Sequence, residues 1–241
     1  MSKKENPSQP WSQNAICIPK MLTAKEKEIY NSALKQPRPF HRGKHIFEIG
    51  DKFTSLFTIC TGSVKVYRMA NDGNEQIAGF YLPGETFGAD AISSGPHVTS
   101  SCALETTTVC EMPFNQLQIL SQQIPSLYAY LVELLSAEIH DKQRFQQLLR
   151  KSTVEERLRY FLASLSRRQH RRQLSASVLL LPMTRSEIGG YLGVRDETIS
   201  RAFTVLQTVG IVKKYMKEVV ILDHDRLISA KNINSKTEQA A

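Results

Sequence analysis

The chain has 241 residues, of which 41% are hydrophobic and 22% charged, an ordinary composition for a globular protein of one large or two modest domains. No apolar run approaches the roughly 18 residues of a membrane span, and MSKKENPSQPW has no apolar signal core, so a cytoplasmic location without a membrane partner is expected. The net charge of +8 is unevenly placed: 16 Lys/Arg against 9 Asp/Glu from Lys151 onward (+7), and 15 against 14 before it (+1), which suits a near-neutral sensor joined to a polyanion binder.

In chain order, residues 1–22 form an N-terminal segment whose polar start is expected to be mobile, ending in Cys17-Ile18-Pro19. A domain over 23–124 follows. Thr23 and Glu26 form a capping box for a short helix over about Thr23 to Leu34, which Pro37 and Pro39 are expected to close. From about Lys44 to Phe114 short β-branched and aromatic runs alternate with turn residues. Phe57, Ile59, Val64 and Val66 flank Thr61-Gly62, an expected tight hairpin, and Asn71–Asn74, Pro83-Gly84 and Ser93–Pro96 mark further turns. This spacing indicates a compact antiparallel sandwich or barrel.

After Pro125 a helical pattern runs to about Lys151. Leu127, Leu131, Leu134 and Leu148 define one apolar side, and Tyr128, Leu135 and Ile139 a neighbouring one. Two apolar sides predict two packing partners, the β-domain and the same helix of a second copy, so 125–151 reads as a dimerisation helix with Ile139 and Lys142 near the seam. A helix buried within a monomer is the alternative. A helix over Val154 to Ser166 is expected to open a second domain, 152–230. Ser166 to Ser177, SRRQHRRQLSAS, reads as an exposed linker able to touch phosphate. Leu179–Leu181 reads as a short strand, and the tail 231–241 as a fraying end.

The most informative stretch is Thr184 to Val212. Thr184 and Glu187 form a capping box for a helix beginning at Arg185, carrying Ile188, Tyr191 and Leu192 on one side and stopping at Gly193. On a second helix from about Arg195, Ile199, Ala202, Phe203 and Leu206 recur at i, i+3, i+4 and i+7, while Glu197, Ser200, Arg201 and Thr204 fall opposite. This is the plan of a helix-turn-helix. Arginine can bond guanine bidentately, glutamate accepts from cytosine, and serine meets either kind of edge. An ordinary solvated face with an i, i+4 ion pair is the competing reading. Beyond it, Ile211-Val212 and Val219–Leu222 flank Lys213-Lys214-Tyr215-Met216-Lys217, which resembles the wing of winged-helix domains. Lys213 and Lys214, with Thr184, Arg185 and Thr198, are expected on the DNA backbone.

At these residues a family resemblance becomes specific. IGGYLGVRDETISRAFTVLQTVGIV resembles the DNA-binding segment of the CRP/FNR family of bacterial transcription regulators, and ETISR resembles its FNR branch, where the matching Glu197, Ser200 and Arg201 read TTGAT half-sites in an inverted repeat. Upstream, GDKFTSLFTICTGSVKVYRMANDGNEQIAGFYLPGETFGADAISSG and LETTTVCEMPF resemble the sensory β-roll of that branch, so the similarity runs from about Cys17 to Asp225. It implies an α+β chain: an N-terminal cyclic-nucleotide-binding-type β-roll, a long dimerisation helix and a C-terminal winged helix-turn-helix. It also implies an activator working as a homodimer on double-stranded DNA, with residues 79–95 and the adjoining surface meeting RNA polymerase. In cAMP-binding members an Arg-Ser pair grips the phosphate. The corresponding Phe87–Ile92 and His97–Ser101 carry no arginine, nor does anything between Arg68 and Arg144, which argues against a cAMP site.

The FNR branch holds a [4Fe–4S] cluster on four cysteines. The resemblance places Cys17 and Cys110 at two of those positions and Trp11 and Ser8 at the others. A four-thiolate cluster cannot be assembled from two ligands, so no cofactor is expected. Cys17 and Cys110 remain as an oxidation-responsive thiol pair, as ligands of a residual cluster, or as remnants without a role. Cys60 is expected in a strand away from Cys17, a small buried hydrophobe, and no structural disulfide is expected in the cytosol. No nucleophile–base constellation or Walker loop occurs, and the six histidines are scattered, so the chain does not read as an enzyme.

Overall fold

The computed structural model describes residues 16–71, 73–172 and 174–229; the expectations for the first 15 residues, including Ser8 and Trp11, and for the tail 231–241 lie outside them. The chain divides into two compact units that part between Asp141 and Lys142.

In the first unit, α1 (Ala24–Ala33) starts at Thr23, whose hydroxyl accepts the Glu26 amide while the Glu26 carboxylate accepts the Thr23 amide at 2.7 Å. The prolines do not close this helix. It ends at Leu34, and Pro37 and Pro39 lie in β1 (Lys35–Phe40), an edge strand where a missing N–H can face away from the ladder. Seven more strands follow: β2 (His45–Phe47), β3 (Ser55–Thr61), β4 (Val64–Met69), β5 (Glu75–Tyr81), β6 (Thr86–Phe87), β7 (Ser100–Ala103) and β8 (Thr107–Pro113). They form two antiparallel four-stranded sheets, ordered β1-β8-β3-β6 and β2-β7-β4-β5.

The hairpin expected at Thr61-Gly62 is instead a corner where the chain changes sheets, since β3 and β4 pair with different partners. Gly62 has φ +80°, and a Cβ there would stand 2.6 Å from the Thr106 carbonyl oxygen, so the corner admits only glycine without rearrangement. A hairpin does join β4 to β5, with the Ala70 amide donating to the Asn74 carbonyl at 2.9 Å.

Phe47, Val64 and Val66 from one sheet meet Phe57, Ile59, Phe87 and Val109 from the other in the inner core. A second core lies on the outer face of the β3–β8 pair. There Leu56 and Met112 are covered by Ile18, Leu22, Tyr30, Leu117, Leu120, Ile124 and Leu127, supplied by the N-terminal turn, α1, α2 (Phe114–Gln123) and the start of α3 (Pro125–Lys151). Each such side chain contributes roughly 1.5–3 kcal/mol through burial.

In the second unit, α4 (Val154–Arg171) opens on a capping box between Thr153 and Glu156. It runs past its expected end at Ser166, so Arg167–Arg171 are helical rather than linker. Acidic Glu155 and Glu156 in the first turn, and Arg168, His170 and Arg171 in the last, complement the helix dipole. Arg157 donates to the carbonyls of Leu149 (2.7 Å), Ser152 (3.1 Å) and Leu192 (3.1 Å), and Phe145 stacks on Tyr191 with centroids 4.3 Å apart. Then come β9 (Val178–Leu180), α5 (Arg185–Leu192), α6 (Asp196–Thr208), β10 (Val212–Tyr215), β11 (Glu218–Ile221) and α7 (His224–Ile228), with the strands ordered β10-β11-β9.

Candidate DNA interface and sulfur cluster

The helix-turn-helix is built by local chemistry. Thr184 caps α5 reciprocally with Glu187, and Gly193 ends it in the left-handed conformation at φ +70°. Gly189 is the contact point of the turn: a Cβ there would lie 2.6 Å from the Val194 carbonyl oxygen, so α5 and the turn into α6 approach this closely only over glycine. Ile199, Ala202, Phe203 and Leu206 are buried, which orients α6 and turns Glu197, Ser200, Arg201 and Thr204 outward.

Thr204 returns its hydroxyl to the Ser200 carbonyl at 3.1 Å. Among the described residues no hydrogen bond or ion pair engages the side chains of Glu197, Ser200 or Arg201, so the i, i+4 pair of the competing reading is not made. The face carries a carboxylate, a hydroxyl and a guanidinium with unused bonding capacity.

The residues expected on the backbone are placed differently from one another. Thr184 is exposed at its cap, and Thr198 is half-buried on the first turn of α6. Arg185 is half-buried with its guanidinium 3.7 Å above the Phe203 ring, and this burial lowers its pKa; packing between α5 and α6 already occupies it. In the wing, exposed Lys213 sits 5.2 Å over the Tyr215 ring, whose hydroxyl raises its pKa. Lys214 is half-buried, its pKa lowered by burial and by the charge of Arg185, and its amide donates to Gln207 Oε1 at 3.1 Å.

On α3, Leu127 is fully buried and Leu131 packs with Tyr130 against the outer core of the first unit. The neighbouring side is open in the single chain: Tyr128 is 63% exposed, Val132 49% and Ile139 59%, with Leu135 half-buried among them and exposed Lys142 beyond. Glu138, on the same helix, accepts a hydrogen bond from the Tyr81 hydroxyl at 2.9 Å.

In the β-domain, the segment corresponding to a nucleotide phosphate site is closed upon itself. Asp90 accepts from the His97 ring (2.9 Å), the amides of Val98 and Thr99 (3.1 Å each) and the Thr99 hydroxyl (2.8 Å). Burial would raise the Asp90 pKa, but the bonds from His97 and Thr99 outweigh it and hold the carboxyl below its ordinary value. The segment's donors are spent on an internal carboxylate, where an incoming phosphate would also meet negative charge.

The cysteines depart most from expectation. Thr58 pairs with Cys110 across β3 and β8, and Cys60 lies two residues along β3, so Cys60 and Cys110 share the outer face with Leu56. The N-terminal turn that seats Ile18 and Leu22 on this face brings Cys17 over both. Cys17 is paired with Cys110 as a disulfide, Cα atoms 6.4 Å apart across 93 residues, where none was expected. Cys60 Sγ lies 3.0 Å from Cys17 Sγ and 2.8 Å from Cys110 Sγ; it is therefore beside Cys17, not remote from it. Burial pushes the Cys60 thiol up to about 11. Only Cys102, buried in β7 of the other sheet, is remote.

A [4Fe–4S] cluster does not fit this arrangement. Its ligand sulfurs sit at the outer corners of a cubane with iron and sulfide between them, whereas these three touch, and the described residues supply three thiols rather than four.

A β-sandwich sensor-type domain, a long helix and a winged helix-turn-helix define a class of DNA-binding regulator. Comparison with known proteins agrees: the cyclic nucleotide-binding domain family matches residues 37–123, and the Crp-like helix-turn-helix domain family matches 156–230. The transcriptional activator protein anr of Pseudomonas aeruginosa is 42% identical over 208 residues, covering 86% of this chain and 85% of the relative. The fumarate and nitrate reduction regulatory protein of Escherichia coli is 39% identical over 216 residues, covering 90% and 86%. The structure of FixK2 from Bradyrhizobium japonicum superposes with a TM-score of 0.72 at 28% identity, over 80% of this chain and 94% of that one. The chain belongs to the CRP/FNR family, in its FNR branch. It is a DNA-binding transcription regulator and not an enzyme. Among the described residues no helix is long and apolar enough to cross a membrane.

Proposed function

We infer that this regulator reads an inverted repeat of the form TTGAT-N4-ATCAA as a homodimer, without a four-thiolate iron–sulfur cluster. Arg201 holds a guanine, Glu197 the amino edge of a neighbouring base on the other strand, and Ser200 a thymine. Lys213, Lys214, Thr184 and Thr198 meet phosphates. The observation that carries this reading is the exposed row of Glu197, Ser200 and Arg201, with no partner among the described residues, on the face opposite the buried side of α6. The open Tyr128–Ile139 side of α3 supports pairing of two copies through that helix, and a two-fold axis mirrors a palindromic site. The Pseudomonas aeruginosa relative is named an activator; contact of residues 79–95 with RNA polymerase belongs to the same reading.

The test is a salt-controlled gel shift of air-purified protein on a TTGAT-N4-ATCAA duplex and a scrambled duplex. Tight, selective binding is expected; equal affinity for both duplexes, in air and after anaerobic supply of iron and sulfide, sinks the reading. The Cys17–Cys110 pairing favours a second mode of control, in which a peroxide-class oxidant takes two electrons and two protons from the pair to form the disulfide and thereby gates DNA binding. A gel shift indifferent to a phosphine reductant excludes that mode.

A further inference from the structure

Three sulfur atoms from distant parts of the first unit converge on one point: Cys17 from the N-terminal turn, Cys60 from β3 and Cys110 from β8. All three lie within 4.8 Å of one another, with Cys60 only 3.0 and 2.8 Å from the other two. No pattern of disulfides satisfies this triad. A sulfur forms one S–S bond, so joining any two leaves the third pressed inside the roughly 3.5–4.0 Å at which non-bonded heavy atoms rest.

A single cation satisfies all three at once. At the usual metal–sulfur distance of about 2.3 Å, tetrahedral geometry holds three thiolates roughly 3.8 Å apart. That separation is wider than the 3.0 and 2.8 Å contacts of Cys60 and within the 4.8 Å inside which all three sulfurs stand. Three soft thiolates select closed-shell thiophilic ions over oxygen-seeking ones. The backbone is also suited to hold them: two of the three positions lie on adjacent paired strands, and the third is anchored by Ile18 and Leu22, which follow it in the chain and are buried in the outer core.

We propose that, once the Cys17–Cys110 pair is reduced, Cys17, Cys60 and Cys110 form a tri-thiolate site for one thiophilic d10 cation, Zn²⁺ or Cu⁺. The fourth position is left to a small ligand. Binding releases one proton from each thiol and transfers no electrons; the prior reduction takes two electrons from an added phosphine. The site differs in nuclearity from an iron–sulfur cluster and depends on Cys60, a position outside the ligand set of the family resemblance. It would fasten the N-terminal turn to the β3–β8 pair through a bond that a chelator can open. This deepens the sensory half of the reading above, and its test reads metal rather than DNA, so the two can fail separately.

The experiment uses the full chain, reduced anaerobically with a phosphine. It is titrated with Co²⁺ as an optical stand-in for Zn²⁺ and, in a second arm, with Cu⁺ against a chromophoric chelator. Bound metal is then counted by mass spectrometry. About one cation per chain is expected, with thiolate-to-cobalt charge-transfer absorption. Cys60→Ser should weaken binding at least about tenfold while leaving the melting curve near wild type, because Cys60 is only half-buried. Cys102→Ser, altering the remote cysteine, should bind like wild type. Whichever arm competes better with chelator assigns the ion within the proposed class. The proposal is overturned if Cys60→Ser binds as tightly as wild type, if reduced wild type retains no cation, or if reconstitution yields several irons with acid-labile sulfide and Cys60 is dispensable.

Discussion

Two polar segments of this chain occupy positions where its family meets phosphate or bases, and they treat their hydrogen-bonding capacity in opposite ways. On α6, Glu197, Ser200 and Arg201 stand outward without partners among the described residues. Between β6 and β7, Asp90 gathers four donors from His97, Val98 and Thr99. The first segment has everything to gain from an external partner. The second would have to break a satisfied network to accept one, at about 1–3 kcal/mol per orphaned group. Shared ancestry of a fold thus says less about a ligand than whether the polar groups are already spoken for.

The open segment depends on its scaffold. Gly189→Val drives side-chain atoms into the Val194 carbonyl and should cost about 3 kcal/mol, abolishing selective DNA binding; a melting curve of the variant and a gel shift check this together. On the closed segment, Asp90→Ala should cost about 2 kcal/mol by orphaning its donors, and should confer no cAMP binding by calorimetry. The sign of its pH dependence follows from the depressed folded pKa. The Asp90 contribution is fully present above the ordinary value of 3.8 and is lost as pH falls through the lower folded value, so the stability gap between wild type and variant narrows below about pH 4.

Arg201→Ala should weaken binding to the inverted repeat by about 1–3 kcal/mol and relax preference at a single base pair, seen by competing probes substituted one position at a time. Uniform weakening on every sequence would instead make Arg201 a phosphate contact. The smallest effect is expected at the wing: Lys213→Ala should leave selectivity intact and reduce the salt slope of binding by about 1.

The DNA-reading unit was legible because its determinants are local. Thr184 and Glu187, Gly193, and the i, i+3, i+4, i+7 row from Ile199 to Leu206 all act within a turn or two of helix, and the structure keeps each of them. What failed depended on register. Alternation places Cys60 and Leu56 on one face of β3, yet nothing local says that Thr58 lies opposite Cys110, and the bulge between Ile59 and Thr61 is invisible in sequence. Without that register the outer core could not be assembled, nor the N-terminal turn seated on it, so the meeting of Cys17, Cys60 and Cys110 was out of reach. Gly62 misled for the same reason: a glycine between two alternating runs reads as a hairpin, and only the approach of Thr106 shows that the chain is changing sheets. The length of α4 has a different cause. SRRQH lacks apolar residues, but arginine and glutamine are good helix formers, and a basic end suits the last turn.

One guanidinium sets how α3 can act. Arg157 grips the final carbonyls of α3 and of α5 together, and the Phe145–Tyr191 stack lies alongside. The last turns of α3 are therefore the stem of the reading head. Half-sites repeat along DNA with a phase of about 34 Å per turn. If two copies pair through α3 as proposed, a signal that twists this stem would put the two recognition helices out of phase and silence the regulator without touching a base-reading residue.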